Sequence, residues 1–254
     1  NLDFHVTPKW EGPLGGRAAS YTNMATVATG SVGTRYNFNK RWAIRANINT
    51  GYRPPTLASM YYYYNSVYAT YTTFNLPVDS DAARALGAGN IKGEYSRSFS
   101  IGLDAEPVDN FHITGNLYYI AINDRLASTT TLSGPYVSSV LADAGLVTSN
   151  SIGYASYFTN PVNTGTYGGD FAADYKLDTR RAGHFLFRLG LNFSDTEIRS
   201  HNAVPSALSS RGITYFNKYA EQMMLRTAPR NRETLSVTWN SGRWKVFVEE
   251  QRYG

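Results

Sequence analysis

The feature that most constrains this chain is a strict alternation of apolar and polar side chains along strand-length segments. Between Trp42 and Arg53, apolar side chains such as Ile44 and Ile48 occupy every second position, with polar ones such as Arg45 between them. A period of two residues predicts a β-strand, and about twelve residues are enough to cross a bilayer when the strand is tilted. The pattern therefore predicts a strand with one apolar and one polar face.

Short and long connections alternate between such segments. Segment 26–38 has the same alternation, and only Asn39-Lys40-Arg41 separates it from the next segment, as in a β-hairpin. After Arg53, by contrast, a long tyrosine-rich segment precedes the next strand. Short turns at one end of a sheet and long loops at the other are typical of outer-membrane barrels. We expect the short turns on the periplasmic side and the long loops outside, at 54–94, 125–165 and 195–230.

The alternation predicts about nine strands in all. Segment 2–6 alternates briefly, whereas 8–16 has the Pro and Gly content of a loop. The long loops contain signals for short helices at 81–86, with Ser80 as its N-cap, at 141–146 on the surface, and at 217–225. The longer strands are predicted at 26–38, 42–53, 95–106, 111–121, 166–177, 184–194, 232–239 and 244–253.

Charge placement favours a transmembrane barrel over a soluble β-sandwich. The apolar faces of the predicted strands carry no Asp, Glu, Lys, Arg or His in their central part, as expected where one Lys or Arg at mid-depth costs ~2–4 kcal/mol. Sandwich strands also average ~5–6 residues, about half the length predicted here. Aromatic residues flank the short turns, as in a girdle at a membrane interface. These residues are Phe38, Trp42, Phe111, Trp239 and Trp244.

Composition agrees with this fold and excludes several other classes. Charged residues make up only 17% of the 254 residues, and aromatic residues reach 14%, with 20 Tyr. No run approaches about 18 apolar residues, the length of a transmembrane helix. Without cysteine there are neither disulfides nor thiolate metal sites. The net charge of +5 is scattered rather than clustered, so nucleic acid is not an expected partner.

The ends of the sequence do not look natural. Asn1 is not preceded by a basic and apolar signal segment, and Gly254 follows a strand that stops part-way. We interpret residues 1–254 as one partial barrel domain from the interior of a longer chain. Both Asn1 and Gly254 are then expected to abut further protein.

Five short motifs follow one another along most of the chain, and together they resemble one family. They are Thr50-Gly51-Tyr52-Arg53-Pro54-Pro55-Thr56-Leu57, Glu94-Tyr95-Ser96 with Ile101-Gly102-Leu103, Tyr118-Tyr119-Ile120-Ala121-Ile122-Asn123-Asp124-Arg125-Leu126, Gly168-Gly169-Asp170-Phe171, and Pro229-Arg230 with Arg252-Tyr253-Gly254. In this order they resemble the barrel motifs of TonB-dependent outer-membrane receptors. The chain departs from the family's pattern at Tyr52, where Phe is usual, at Pro54, where Ala is usual, and at Gly93, where Pro is usual.

The resemblance implies an all-β fold, an antiparallel transmembrane β-barrel in the bacterial outer membrane with long extracellular loops. About nine strands would be a portion of the 22-stranded barrel with a plugged lumen. It also implies active import of a scarce, bulky nutrient such as a ferric siderophore. The partners would be outer-membrane lipid, a small-molecule or metal-chelate substrate, and TonB, which would act through a plug domain with no counterpart in these residues.

The candidate ligand-binding residues lie at and after the end of the strand 42–53. Arg53 could contact substrate, or carboxylates of the plug or wall could hold it. Tyrosines on a loop offer rigid contact area with a hydrogen-bonding tip, which suits a siderophore or a glycan, although loop packing and interface anchoring explain them equally well. The candidates are Arg53, Tyr61, Tyr62, Tyr63, Tyr64 and Tyr68.

Other polar residues do not form a recognisable catalytic or metal site. The four histidines lie on different elements without paired spacing, so we predict no metal ligands and no cofactor. We find no nucleophile elbow, phosphate loop or acid–base pair, and we do not expect an enzyme. A passive porin, a barrel adhesin, and a TonB-dependent importer of glycans or cobalamin stay open as alternatives. Acidic residues of the inward face are expected to pair with arginines on the same face. The acidic residues are Asp104, Glu106, Asp170 and Asp174, and the arginines are Arg35, Arg45 and Arg188.

Overall fold

The computed structural model describes residues 2–21, 26–148 and 150–254, so Asn1 and the expectation attached to it lie outside the described residues. Thirteen strands and five helices form within these ranges. The strands are β1 (Leu2–Thr7), β2 (Trp10–Ala19), β3 (Val27–Asn37), β4 (Trp42–Arg53), β5 (Tyr64–Val67), β6 (Tyr71–Asn75), β7 (Glu94–Val108), β8 (Phe111–Ser128), β9 (Ile152–Ser156), β10 (Phe158–Thr179), β11 (Gly183–His201), β12 (Asn231–Ser241) and β13 (Trp244–Tyr253). The helices are α1 (Leu57–Tyr61), α2 (Asp81–Ala85), α3 (Pro135–Asp143), α4 (Ser206–Ser209) and α5 (Lys218–Leu225).

Ten of these strands form one antiparallel sheet, which we call the wall. Its order is β1-β2-β3-β4-β7-β8-β10-β11-β12-β13, so each strand pairs with its sequence neighbours in the wall and β1 and β13 lie at the two edges. The strand order confirms the predicted antiparallel barrel fold, present here as an unclosed portion. No described helix is both long and apolar enough to span a membrane.

The prediction of a loop at 8–16 is wrong, because β2 occupies most of that segment. Gly12 and Pro13 lie inside β2, and β2 pairs with β3 on either side of them but not at these two residues. Proline has no N–H to donate, so it is tolerated where a ladder is interrupted. A Cβ added at Gly12 would collide with the backbone carbonyl of Gly33 on β3. The Pro and Gly therefore mark a local close approach of two strands rather than a loop.

Several wall strands run further outward than the alternation predicts. β10 contains 22 residues, β11 contains 19 and β8 contains 18, so the connections on this side are shorter than the predicted loops. What remains of them carries helices and a second sheet with the order β5-β6-β9. Outward of the predicted strands, the polar and apolar positions no longer alternate strictly, because these parts of the strands pack against the folded loops.

Two of the three predicted helices are confirmed, and one is wrong. Ser80 caps α2 by accepting a hydrogen bond from Ala83 N, and Asn217 caps α5 in the same way. The helix predicted at 141–146 is instead α3, which begins with Pro135 and ends at Asp143. Leu141 is fully buried rather than on the surface, because α3 turns this apolar side toward the other loops.

The polar face of the wall confirms the predicted arginine pairs of Asp104 and Asp174 but not those of Asp170 and Glu106. Asp104 lies between Arg35, at 2.5 Å, and Arg45, at 3.1 Å, and Arg188 contacts Asp174 at 3.3 Å. The two other acidic residues have different partners. Asp170 accepts a hydrogen bond from Asn192, and Glu106 lies 4.0 Å from His112.

The apolar face carries rows of exposed hydrophobic side chains. One such row, read across the paired strands, consists of Leu14, Val32, Ile48, Phe99 and Tyr119. Near the short turns lie the predicted aromatic residues, and the indole N–H of Trp239 donates to the carbonyl of Ala182 within a turn. Such an exposed apolar surface with aromatic margins is typical of a lipid-facing wall. Charged residues occur on this face toward the outer ends of β12 and β13, and these are Glu233, Glu250 and Arg252.

The buried core lies in the loops rather than in the wall. The described residues of 54–93, 129–157 and 202–230 pack together at one end of the sheet, and we call them the loop cap. Core residues come from every part of this cap and from the adjoining end of β10. The fully buried side chains of the cluster include Leu76, Leu86, Leu132, Leu141, Tyr157, Val162 and Leu208.

Candidate ligand-binding surface

The predicted tyrosines lie on the exposed side of the loop cap. Thr56 caps α1 through a hydrogen bond from Ser59 N, so the chain turns as soon as it leaves the wall. The tyrosines then follow along the end of α1, the start of β5 and the turn before β6. Each side chain is about half exposed, since the exposed fractions range from 48% to 56%. The residues are Tyr61, Tyr62, Tyr63, Tyr64 and Tyr68.

The tyrosine rings are ordered against one another in two groups. Tyr62 and Tyr64 stack with centroids 6.5 Å apart and planes 7° from parallel. Tyr68 stacks on Tyr71 at 4.6 Å, and Tyr71 meets the edge of Tyr154 at 5.2 Å. Stacked rings of this kind present flat apolar faces and hydroxyl tips, with little side-chain entropy left to lose when a ligand binds.

The small sheet beneath these rings is anchored to the rest of the cap. β6 pairs in parallel with β9, which lies about 80 residues further along the chain. Phe74 on β6 is buried in the core of the cap, and the Asn75 amide donates to the carbonyl of Tyr62 at 3.0 Å. The tyrosine surface therefore rests on a packed support and not on an isolated loop.

Arg53 lies at the wall, where β4 ends. Its guanidinium is 3.4 Å from the carboxylate of Glu94 on β7, while 69% of its side chain remains exposed. Glu94 also accepts a hydrogen bond from Leu126 N at 2.8 Å, so the carboxylate is held from two sides. A carboxylate of the wall thus engages Arg53, which was one of the two interpretations of this residue.

A pocket of about 490 Å³ lies beside Tyr63, and the sequence did not reveal it. Its apolar lining comes from α2 and α3, through Ala82 and Val140, and Asp81 and Asp143 also line it. The pocket requires the first and second long loops to pack together. The sequence signal that could have revealed this pocket is the spacing of apolar residues in 137–141, which predicts a helix with one buried side.

The histidines do not converge on a common site. Each lies near a single carboxylate, as in the contacts of His184 with Asp178 at 2.5 Å and of His201 with Glu221 at 2.8 Å. Within residues 2–21, 26–148 and 150–254, no group of three or more His, Cys, Asp or Glu side chains has the arrangement of a metal site.

A lipid-facing antiparallel wall, a polar face with ion pairs, and long outer loops define a portion of an outer-membrane β-barrel. A family model for TonB dependent receptor-like β-barrels matches residues 1–254. The chain belongs to this family, whose members are transport receptors of the outer membrane and not enzymes.

Solved structures of such receptors share the fold. The siderophore receptor PirA from Pseudomonas aeruginosa superposes with a TM-score of 0.66 at 10% identity, over 99% of this chain and 38% of that one. A mutant of the ferric enterobactin receptor PfeA from Pseudomonas aeruginosa, in complex with enterobactin, gives 0.62 at 14% identity, over 99% and 31%. The copper transporter OprC gives 0.58 at 14% identity, over 97% and 33%.

The chain spans about a third of the length of these solved structures. At these identities the likeness shows the fold alone. A comparison with curated protein sequences gives no significant match.

Proposed function

We propose that this chain is part of a TonB-dependent active transporter in the bacterial outer membrane, which imports a scarce, bulky nutrient such as a ferric siderophore. The observation that carries the proposal is a rigid, tyrosine-rich surface on folded outer loops, above a barrel wall of the TonB-dependent family. A passive pore needs an open path rather than a shaped outer surface. Capture of a dilute ligand, in contrast, requires affinity before transport.

The chemistry of the surface suits a large, partly aromatic ligand. The rings of Tyr62 and Tyr64 offer flat faces for stacking, and the hydroxyls of Tyr61 and Tyr63 are available at the surface. Arg53, at the end of β4, adds a cation whose side chain stays 69% exposed beside Glu94. Two structural relatives are named as siderophore receptors, which supports a metal chelate with negative charge as the first cargo to test.

Uptake by intact cells tests the proposal. The full-length protein is expressed in a strain that lacks its other siderophore receptors, and labelled ferric siderophores, cobalamin, an oligosaccharide and copper are offered in turn. We expect one chelate to accumulate only when TonB is present and energised. Equal uptake with and without TonB would support a passive pore and contradict the proposal, and cell binding without any uptake would support an adhesin.

A pair of variants then tests the ligand surface. Tyr62→Ala with Tyr64→Ala should weaken binding of the transported chelate at least about tenfold, because exposed aromatic anchors often contribute more than 1 kcal/mol each. Tyr219→Ala is the control, since Tyr219 on α5 is also exposed, at 71%, compared with 50% and 53% for Tyr62 and Tyr64, but lies outside the tyrosine group. Unchanged binding by the double variant would remove these residues from the site.

A further inference from the structure

The five short turns of the wall carry the whole net charge of the chain. Each turn joins two neighbouring strands of the wall, and all five lie at the end of the sheet opposite the loop cap. Together with the strand residue on either side, the turns contain six Lys and Arg residues but only one Asp. This difference of +5 equals the net charge of all 254 residues, so the remaining charges cancel. The segments are 7–10, 37–42, 108–111, 179–183 and 241–244.

Five of the six basic side chains in these turns are not neutralised. Arg41 contacts Asp109, the one acidic residue of the turns. The others make no ion pair with a carboxylate of the described residues, and Lys9 Nζ approaches a backbone carbonyl, that of Phe38, at 3.5 Å. All five are exposed, and they are Lys9, Lys40, Arg180, Arg181 and Arg243.

The spacing of the turns makes these charges act together. Successive turns are two strands apart in the wall, which corresponds to about 10 Å, and the five turns extend over about 40 Å. Since the Debye length at physiological ionic strength is about 8 Å, the potentials of neighbouring turns overlap. The turns therefore form one positive strip, which we call the basic rim. The net charge looks scattered along the sequence, but the fold clusters it at one end of the wall.

The composition of the basic rim suits a polyanion rather than an apolar surface. Outside the strands, the five turns contain only three apolar side chains, those of Pro8, Phe38 and Ala182, so they lack the apolar core of a typical protein–protein interface. Phe38 belongs to the aromatic margin of the wall, together with Trp42 and Trp244. This margin lies between the rim and the hydrocarbon of the membrane, so the basic groups are presented to the water beyond it.

We propose that the basic rim binds a carboxylate-bearing polymer of the periplasm, the peptidoglycan layer. This inference rests on the proposed orientation, with the short turns in the periplasm, and not on the identity of the transported ligand. Peptidoglycan presents the carboxylates of its stem peptides at many points of an extended network, which matches a row of point charges without a pocket. Each contact is weak, because an exposed ion pair changes an affinity by about fivefold at most. Several contacts with one polymer reinforce one another through avidity.

Co-sedimentation with purified peptidoglycan sacculi tests the basic rim. The full-length protein in a non-ionic detergent should sediment with native sacculi, less so at high salt, and not with sacculi whose carboxylates have been amidated. A variant with four substitutions in the rim should bind at least about tenfold more weakly, because four exposed ion pairs contribute about twofold or more each. The substitutions are Lys40→Gln, Arg180→Gln, Arg181→Gln and Arg243→Gln.

Two further variants separate charge from other effects. Replacing the same three arginines with lysine should retain most of the affinity, because the charge stays. The matched control removes four charges from the opposite end of the wall and from the loop cap, and it should sediment like the wild type. Its substitutions, all at exposed positions, are Arg84→Gln, Arg97→Gln, Arg199→Gln and Lys218→Gln. Heat-modifiable migration in gels verifies that each variant has folded, and Arg180→Gln with Arg181→Gln alone replaces the fourfold variant if that one does not fold.

Sedimentation that survives amidation of the sacculi, or an equal loss in the control variant, would overturn the proposal. Vesicles of phosphatidylglycerol and soluble polyglutamate probe the two other kinds of anionic partner. Weaker vesicle binding by the rim variant with unchanged sedimentation would assign the rim to lipid headgroups instead. Tighter binding of polyglutamate than of sacculi, at equal carboxylate concentration, would assign it to an acidic protein. The assay involves neither a chelate nor TonB, so failure of the proposed transport leaves its result interpretable.

Discussion

The hydroxyl of Tyr157 donates a hydrogen bond of 2.9 Å to the backbone carbonyl of Leu86, a residue 71 positions earlier in the chain. Both residues are fully buried, and the bond ties the second long loop to the end of α2 in the first. The backbone N–H of Tyr157 is also bonded, to the Thr129 hydroxyl at 3.2 Å. Tyr157 therefore links the loops at the centre of the cap that supports the tyrosine surface.

Tyr157→Phe should destabilise the loop cap by ~1–3 kcal/mol, because it leaves the buried carbonyl of Leu86 without a donor. The barrel wall should be unaffected, so hydrogen exchange should accelerate in the cap but not in the wall strands. Tyr154→Phe is a suitable control, since its hydroxyl makes no hydrogen bond with the described residues. Equal exchange in the two variants would show that the Tyr157 bond does not stabilise the cap.

The cap should also lose stability in alkaline solution. Burial raises the pKa of the Tyr157 phenol above its ordinary value of 10.0, and the neighbouring Tyr215 adds to the shift. Burial likewise raises the pKa of Tyr215. Above about pH 10 the unfolded cap releases protons that the folded cap retains, so the free energy of unfolding falls as pH rises.

Below that pH these two groups contribute no pH dependence, since both states keep their protons. Protease protection of the cap should therefore be constant from neutral pH up to about pH 10 and decline beyond it. The decline should be shallower in Tyr157→Phe. An identical slope in that variant would assign the alkaline loss to other groups.

Leu189→Arg should cost ~2–4 kcal/mol of barrel stability, because Leu189 lies mid-strand on the lipid-facing side of β11. It pairs with Ala173 and Leu235, both apolar. The neighbouring Gly190→Arg points to the polar face, where the nearest atom to an added Cβ is 3.8 Å away, and it should be much milder. Refolding titrations of the full-length protein in detergent measure both changes. Equal damage would contradict the assignment of the two faces.

Asp104→Asn should destabilise the wall more than Asp174→Asn. Only 20% of the Asp104 side chain is exposed, and it neutralises two arginines, so its loss should cost about 1–3 kcal/mol. Asp174 is 44% exposed and faces only Arg188, a geometry that contributes about 0–1 kcal/mol. Chemical denaturation of both variants measures the loss in free energy of unfolding. A larger loss in Asp174→Asn than in Asp104→Asn would mean that side-chain exposure does not determine how much these ion pairs stabilise the wall.

Labelling of single cysteines in intact cells determines which end of the wall faces the outside of the cell. Lys40→Cys and Arg181→Cys lie in short turns and should resist an impermeant thiol reagent, while Ser66→Cys in the loop cap should react. These turn positions are preferable to Asn39 and Asp109, because Asn39 accepts hydrogen bonds from Arg41 N and Trp42 N and Asp109 pairs with Arg41. Labelling of the turns with protection of Ser66→Cys would reverse the orientation.

The sequence by itself determined the wall. Alternation with period two assigns side chains such as Leu189 and Gly190 to opposite faces, because neighbouring residues of a strand always point in opposite directions. The positions of the short turns and the capping residue Ser80 are equally local signals, and the structure confirms them.

Only the tertiary structure decided how the outer loops are arranged. The burial of Leu141, the parallel pairing of β6 with β9 and the bond from Tyr157 to Leu86 all depend on segments far apart in the chain. No local pattern specifies which of these segments meet, because their contacts form only when several loops bury apolar surface together. The loop at 8–16 was mispredicted for the same reason, since Gly12 is required by the backbone of Gly33 on a neighbouring strand.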